Sequence, residues 1–420
     1  MQRYTNGAQY MSATLLFTTT PGMDLESQIT RVRKLRPLPP FDAAATAFVH
    51  EFAQRIVKLP ELRRFPELAT LAHWFRPAAI HHLSHLTQGT SEGTALALAR
   101  GLVFHMAPAN VDVLFAYAWL MSVLCGNANV ARLSQKPSAQ RAAMTALLVA
   151  MRDEGNHAAV LDRQLLLTYP HDDAVTALIS RQCHARIVWG GDQTVARIRA
   201  IPLAPLAAEL VFPDRFGVGA FDAVSMMRLE DNEVRELARR FCNDTLWFGQ
   251  QACSSPRTLY WVGDAATIEQ AKARFWPAVY QVADKLDDEP AALMARLTDA
   301  HLLAARDGAL HGVGALDAYP LRLDAHQATD AMRESQSGHG LVVEVPLAQL
   351  MELATQLDDR DQTLVQFGFD TTQLRELLHA VGSRAIDRVV PVGRALDFHH
   401  IWDGTDLLGT LTRRITLPAH

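Results

Sequence analysis

The chain has 420 residues, 49% hydrophobic and 20% charged, with 40 Lys and Arg against 45 Asp and Glu for a formal net charge of −5. That length and apolar content suffice for a large core and more than one domain, and the even charge balance argues against nucleic acid or an anionic membrane surface as the main partner. The four cysteines, Cys125, Cys183, Cys242 and Cys253, include no CxxC pair and make no disulfide framework, which points to a reducing, cytoplasmic setting.

The start, "MQRYTNGAQYMSATLLF", lacks the long apolar core of a secretory signal. Residues 1–45, with "PGMD" and "RPLPP", are expected to form an irregular N-terminal arm. From 46 to 100 the apolar spacing is helical, broken by prolines and by "TQGTSEGT". "GLVFHMAP" predicts a buried strand and a turn. "VDVLFAYAWLMSVLC" (111–125) predicts a buried helix too short to cross a bilayer comfortably. "NANVARL", "RQLLLTYP" and "ARIVWGG" predict further strands, separated by helices over "PSAQRAAMTALLVAMRDEG" and "DDAVTALISRQC". This alternation predicts a doubly wound, largely parallel sheet. After 222 the pattern repeats: a mostly helical stretch, the strand "RTLYWVG" and the helix "DAATIEQAKARFWPAVYQVADKL". The acidic stretches "DKLDDEP" and "LDDRDQ" are expected as exposed turns. The expected division is therefore an arm over 1–45, α/β domains over 46–222 and 223–390, and a final segment over 391–420.

"GQQACSSPR" (249–257) surrounds Cys253 with hydrogen-bonding groups and offers it no evident basic partner. A thiolate there would be a nucleophile; a thiol could equally be a small buried side chain. In "HMAPAN", Asn110 stands at a strand-to-helix turn, where its amide can donate to an oxyanion or cap the helix. Gly190 and Gly191, in "WGGDQT", end a strand and permit close approach of backbone to a ligand, though glycine is also routine in turns. "GVGAFD" lacks the third glycine of a dinucleotide fingerprint. His81 and His85 in "HHLSH" lie one helical turn apart without a matching third ligand, so no metal is expected. His339, between glycines in "SGHGLV", and His399-His400 beside Trp402-Asp403-Gly404 suit a tight approach to a site.

Together "HMAPANVDVLFAYAWL", "CGNANVARL", "IVWGGDQTV", "VFPDRFG", "CNDTLWFGQQACSSPR" and "DRVVPVGRALDFHHIWDGTDL" resemble the acyl-CoA reductases of the LuxC type, within the aldehyde dehydrogenase superfamily. The similarity runs over roughly 100–260 and 335–415. It implies two doubly wound α/β domains, one binding a nicotinamide cofactor and one carrying the catalytic cysteine, with a C-terminal return and oligomerisation segment. By resemblance Cys253 is the acylated nucleophile, preceded by Gln251 of the superfamily's glutamine-x-cysteine motif. Asn110 falls near the oxyanion asparagine. Arg132 takes the place of a lysine that contacts the adenosine ribose, and Gly190 and Gly191 match the turn that touches the cofactor phosphates. Glu344 sits roughly where a ribose-binding glutamate is found. Hydrolytic relatives keep a glutamate base upstream of the cysteine, whereas "VFPDRFGVGAF" has Phe212 or Pro213 there. Without that base, water is not activated against the acyl-enzyme, which favours reduction over hydrolysis.

The resemblance thus implies NADPH-dependent reduction of an acyl thioester, a long-chain acyl-CoA or acyl-protein, to an aldehyde. His339 is the candidate proton donor or substrate contact. The guanidinium of Arg132 suits a ribose phosphate, with NADH left open. An acyl-protein synthetase is the implied partner, and self-association through "WDGTDLLGTLTRRITL" is implied by analogy. Rival expectations are an aldehyde dehydrogenase-like enzyme with another acyl donor, an acyl carrier, or a non-catalytic subunit of a reductase complex. Phe115, Trp119, Trp247 and Phe248 could line an acyl channel, but such side chains are more often core.

Overall fold

The computed structural model describes residues 13–59, 66–88, 95–107, 112–286 and 289–418. Two compact α/β units result, one of residues 1–213 with 398–420 and one of 214–397.

The first unit is built on β1 (Thr14–Phe17), β3 (Leu102–Met106), β4 (Ala128–Leu133), β5 (Gln164–Thr168), β6 (Ala185–Trp189) and β7 (Ala208–Phe212), with β2 (Ala95–Ala99) set apart. Their order is β1-β5-β4-β3-β6-β7, parallel throughout except for β1, which runs antiparallel to β5 at the edge. Strands covered on both faces need continuous apolar runs, and β3 and β6 are buried at every position. Chain order turns back between β3 and β6, which opens a crevice at the carboxyl ends of these strands. The long apolar run is the helix Asp112–Leu124, buried from Phe115 to Leu124. Its Trp119 meets Phe52 edge-on at 5.3 Å and donates its indole N–H to Gln164 at 2.8 Å. Phe115 and Trp119 are therefore core. Among the described residues no helix is long and apolar enough to cross a membrane.

The second unit is built on β8 (Phe216–Asp222), β9 (Pro256–Val262), β10 (Leu310–Val313), β11 (Leu321–Ala325), β12 (Leu341–Leu347), β13 (Asp361–Phe367) and β14 (Arg388–Pro391). The order is β10-β11-β12-β9-β8-β13-β14, parallel except for the edge strand β10. Phe221 at its centre meets Phe241, Trp261 and Phe275 edge-on at 5.4–5.8 Å, an arrangement favoured by the ring quadrupole. The last residues return to the first unit through β15 (Ile401–Trp402), β16 (Thr405–Asp406) and β17 (Thr412–Thr416). β17 pairs antiparallel with β2 in a separate two-stranded ribbon.

Several expected boundaries move. The arm is not irregular: β1 joins the first sheet, and the helix Leu25–Lys34 buries Ile29 and Val32 completely. The first α/β domain does not reach 222, because β8 pairs with β9 and β13 in the second sheet and the division falls after Pro213. The final segment separates at Phe398, since residue 391 still belongs to β14. "LDDRDQ" is not all exposed turn: Asp361 opens β13, is 1% exposed and pairs with Arg333 at 2.8 Å.

Candidate active site

In the second unit the cysteine lies at the amino end of β9. Residues 252–255 turn tightly, with the Ser255 N–H donating to Ala252 O at 3.0 Å. Ala252, Ser254 and Ser255 are buried while Cys253 is partly exposed, unlike the other three cysteines. The chain enters it through three successive left-handed residues, Phe248 (φ 56°), Gly249 (φ 58°) and Gln250 (φ 63°). Two of these carry a Cβ, so the turn costs on the order of 1–3 kcal/mol each and must be held from outside.

Gln250 holds it. Its buried amide donates to Pro256 O at 2.7 Å and Leu341 O at 3.0 Å, and accepts from the N–H groups of Gly340 at 2.9 Å and Leu341 at 3.0 Å. The hydrogen-bonding capacity of the side chain is thereby filled. This ties the cysteine turn to residues 337–341, where His339 (φ 58°) stands between Gly338 (φ 91°) and Gly340 (φ 81°). The His339 N–H donates to Gly249 O at 2.8 Å, and its carbonyl accepts from Arg296 at 2.7 Å. Its ring Nε2 lies 3.5 Å from the amide nitrogen of Gln251, which also donates to Ser337 O. A Cβ at Gly340 would strike the Tyr319 ring, and one at Gly338 would lie 2.8 Å from Gln250 O. Gln251 and His339 are thus brought together beside the cysteine turn, with Trp247 and Phe248 half-buried in the preceding turn.

Two residues of this neighbourhood escaped the sequence reading. Gln250 differs from Gln251 only by facing inward. Arg257, at the start of β9, is 7% exposed; its Nη1 donates to Gln336 O at 2.7 Å, and its Cζ lies 4.9 Å from the centre of the Phe216 ring. Burial pushes this guanidinium below its ordinary pKa, while Asp214, Asp299 and Cys253 act to raise it and Arg360 to lower it. The signal in the sequence was an arginine four residues beyond Cys253. The other cysteines are buried, and burial pushes the Cys183 and Cys242 thiols up to about 12 and raises Cys125 as well.

Of Phe212 and Pro213, the positions the resemblance sets against the base of hydrolytic relatives, Phe212 is a buried ring stacked on Trp189 at 4.0 Å. The flanking acids are occupied: Glu209 accepts from Arg186 at 2.7 Å, and Asp214 from Arg360 at 2.7 Å.

The first unit carries a cleft of about 230 Å³ at the carboxyl ends of β3 to β6, with Arg132, Tyr169, His171, Gln193 and Thr194 among its lining residues. Arg132 reaches it from the end of β4, donating Nη2 to Tyr169 O at 3.1 Å with its Nε buried and unpartnered. Burial lowers the pKa of this guanidinium. Gly190 and Gly191 end β6 and start the helix Asp192–Arg199, whose first turn supplies Gln193 and Thr194. Its N-cap residue, Gly191, offers no side-chain cap, and a helix N-terminus favours an anion. A Cβ at Gly190 would press on Thr194 at 3.1 Å, whereas one at Gly191 would meet open space. Asp172 and Asp173 also line the cleft, but Asp172 accepts from the N–H groups of Ala174 and Val175 and Asp173 pairs with Arg197 at 2.8 Å.

Other expectations fare differently. Asn110 lies outside the described residues. Glu344 does not present itself to a ribose: it is 1% exposed in β12, accepting the indole N–H groups of Trp261 at 2.7 Å and Trp276 at 2.8 Å. Its second oxygen pairs with Arg322 at 3.0 Å and Lys272 at 3.5 Å, so the carboxylate is consumed inside the unit. "GVGAFD" is part of β8, not a loop. His81 and His85 face each other at 3.2 Å on an exposed helix, and among the described residues no three potential ligands cluster for a metal. His399 and His400 adjoin an aromatic cluster in which Tyr117 stacks on Phe398 at 4.4 Å and donates to His399 O.

Comparison with known proteins agrees with this fold. Solved structures of similar fold include the aldehyde dehydrogenase of Bacillus cereus, with a TM-score of 0.65 at 10% identity, covering 94% of this chain and 88% of that one. Aldehyde dehydrogenase KauB of Pseudomonas aeruginosa gives 0.64 at 11% identity, covering 98% and 94%. The glyceraldehyde-3-phosphate dehydrogenase GapN of Methanocaldococcus jannaschii, complexed with NADP, gives 0.60 at 12% identity, covering 93% and 91%. At these identities the likeness shows an aldehyde dehydrogenase-like fold. No curated protein sequence matches the chain. The family model of acyl-CoA reductase (LuxC) matches residues 82–414, well over half the chain. This chain, with its partly exposed cysteine in one α/β unit and its arginine-lined cleft in the other, belongs to the LuxC family of acyl-CoA reductases.

Proposed function

We propose that the protein reduces an acyl thioester to an aldehyde with NADPH, through an acyl group carried on Cys253. The observation that carries this reading is the braced turn: a partly exposed cysteine two residues beyond Gln251, whose amide lies 3.5 Å from His339, in a chain of the acyl-CoA reductase family. The Cys253 thiolate adds to the thioester carbonyl, forming a carbon–sulfur bond and placing the electron pair on oxygen. The Cys253 N–H stabilises that oxyanion, and the resemblance assigns Asn110 as the second donor; one such donor is worth about 3 kcal/mol. Collapse expels the CoA thiolate or another thiol and leaves an acyl-cysteine. With Phe212 or Pro213 where the resemblance sets the glutamate base, no such base activates water against this intermediate. The hydride that reduces the acyl-cysteine is the chemistry a nicotinamide supplies when bound. Collapse of the reduced adduct returns the thiolate of Cys253 and frees the aldehyde, with His339 the proton donor or substrate contact.

The first unit's cleft suits that cofactor. Arg132 offers an unpartnered buried Nε to a ribose phosphate, while the nearby carboxylates of Asp172 and Asp173 are already engaged and so offer a ribose diol little. Gly190, Gly191 and the following helix N-terminus would receive the pyrophosphate. The donor is a long-chain acyl-CoA or an acyl-protein, and an acyl-protein synthetase and further copies of the chain are the proposed partners.

Labelled acyl-CoA tests the reading. The expected result is label on Cys253 that NADPH discharges as aldehyde. Label that NADPH leaves in place supports an acyl carrier instead, and absence of label supports a non-catalytic subunit.

A further inference from the structure

We infer that Arg296 and Asp299, one turn apart on the helix Pro290–Arg306, are positioning residues that clamp the loop of residues 337–339 and set the direction of the His339 imidazole. The inference rests on His339 acting in the proposed reaction. Neither residue belongs to a motif that carries the resemblance.

His339 stands where a glycine would be cheaper. Its φ of 58° lies in the left-handed region, between Gly338 at 91° and Gly340 at 81°. A third glycine would adopt this conformation freely, whereas a residue with a Cβ is strained there. Such strain persists only where the surroundings over-determine the backbone, and it gathers where a side chain has a task.

The loop is held from two sides. The cysteine turn supplies one: Gly249 O accepts the His339 N–H at 2.8 Å, Gln251 donates to Ser337 O, and Gln250 accepts the Gly340 N–H at 2.9 Å. The helix supplies the other. Asp299 accepts the Ser337 N–H at 2.8 Å and the Ser337 hydroxyl as well. Arg296 donates Nη1 to His339 O at 2.7 Å. Residues three apart share a helix face, so one turn offers an acceptor to the start of the loop and a donor to its strained peptide. Arg296 is fully buried, with its Cζ 4.9 Å from the centre of the Tyr319 ring, and that ring fills the space a Cβ at Gly340 would need. The backbone of His339 is thereby fixed at its N–H by the cysteine turn and at its carbonyl by the helix. That fixes the Cα–Cβ direction, which carries the ring Nε2 to 3.5 Å from the Gln251 amide nitrogen.

The test is carbethoxylation of the full-length protein by diethyl pyrocarbonate, read residue by residue by mass spectrometry. It needs no acyl donor and no cofactor. The reagent attacks an imidazole nitrogen, and in the clamped loop Nε2 of His339 is set against the Gln251 amide. In Arg296→Met and in Asp299→Ala, His339 should react about tenfold faster, the scale of one lost hydrogen bond, while the exposed His311 and His379 keep their rates. Asp299→Asn, which can still accept, should leave the His339 rate near wild type. An unchanged His339 rate in either folded variant overturns the inference, as does equal acceleration at all three histidines or an Asn variant that behaves like the Ala one. Should Arg296→Met fail to fold, Asp299→Ala and Asp299→Asn decide. A double-mutant cycle gives the second readout: Arg296→Met should slow aldehyde formation about tenfold, and have no further effect in a His339→Ala background. Absence of acyl labelling with the His339 response intact would sink the proposed function alone. Aldehyde formation slowed equally with and without His339 would sink this inference alone.

Discussion

The two α/β units use opposite ends of their sheets. In the first, the cleft lies at the carboxyl ends of β3 to β6, where strand order reverses, and its residues keep unspent capacity: the Nε of Arg132 and an uncapped helix start. In the second, the cysteine turn and the His339 loop lie at the amino ends of β9 and β12, and Gln250, which joins them, has nothing to spare. Open hydrogen-bonding groups suit a ligand that comes and goes. A nucleophile held against backbone strain needs the reverse, a closed and rigid frame. The first site should therefore lose affinity gradually on substitution, and the second should lose its geometry at once.

The largest effect that could break this contrast is Gln250→Ala. It would take a partner from Pro256 O and the Gly340 N–H, while Leu341 keeps its bonds to Gln336 and Gly338 O, and leave the left-handed turn unsupported, for a loss of about 4 kcal/mol at roughly 1–3 kcal/mol per orphaned group. Chemical denaturation should show the loss, and labelling by acyl-CoA should fall with it. Normal labelling in a destabilised variant would mean that the brace serves stability alone.

Glycines sharpen the contrast next. Gly340→Ala places a Cβ at φ 81° against Tyr319 and should cost about 3 kcal/mol. Arg132→Ala should come after it, lowering kcat/KM for NADPH about thirtyfold, or about 2 kcal/mol, while leaving NADH nearly unchanged. An NADPH preference that survives this substitution removes Arg132 from cofactor selection. Gly191→Ala, at φ −61° in open space, should cost only about 0.5 kcal/mol of stability.

The first site was more legible in the sequence than the second, for the same physical reason. Buried parallel strands write themselves as apolar runs, so "LVFHM" and "ARIVW" announce β3 and β6, and Gly190-Gly191 marks where β6 ends. Cys253 could be singled out only as part of a longer motif, because a thiol among polar residues is compatible with either role. Arg257 was missed because an arginine at a strand start normally reaches solvent; its burial arises from Phe216 and Gln336, distant in sequence. Glu344 was misassigned for the same cause, since nothing in "LVVEVP" reveals that two indoles and two cations wait for it. The unit boundary after Pro213 was hidden because β7 and β8 follow closely yet enter different sheets.

The prediction with the smallest net effect on the whole chain separates the units by pH. In the second, Asp244 is 1% exposed and accepts the N–H groups of Gly393 and Ala395; burial outweighs those bonds and raises its carboxyl to about 7. A raised acid contributes stability that is complete below its usual value near 3.8 and lost as pH rises through about 7. In the first, His105 is buried against Asn129 at 2.9 Å, and burial depresses it to about 4. Its contribution is complete above about 6.5 and is lost as pH falls towards 4. From pH 7 to pH 6 the second unit should therefore gain about 1 kcal/mol while the first loses about 0.7 kcal/mol. The two nearly cancel in a whole-chain unfolding curve. Hydrogen exchange resolved by peptide should separate them, with protection rising around β9 and β13 and falling around β3 and β4, and Asp244→Asn should abolish the first change alone. Shifts of the same sign in both units would show that neither buried group sets the pH response of its own sheet.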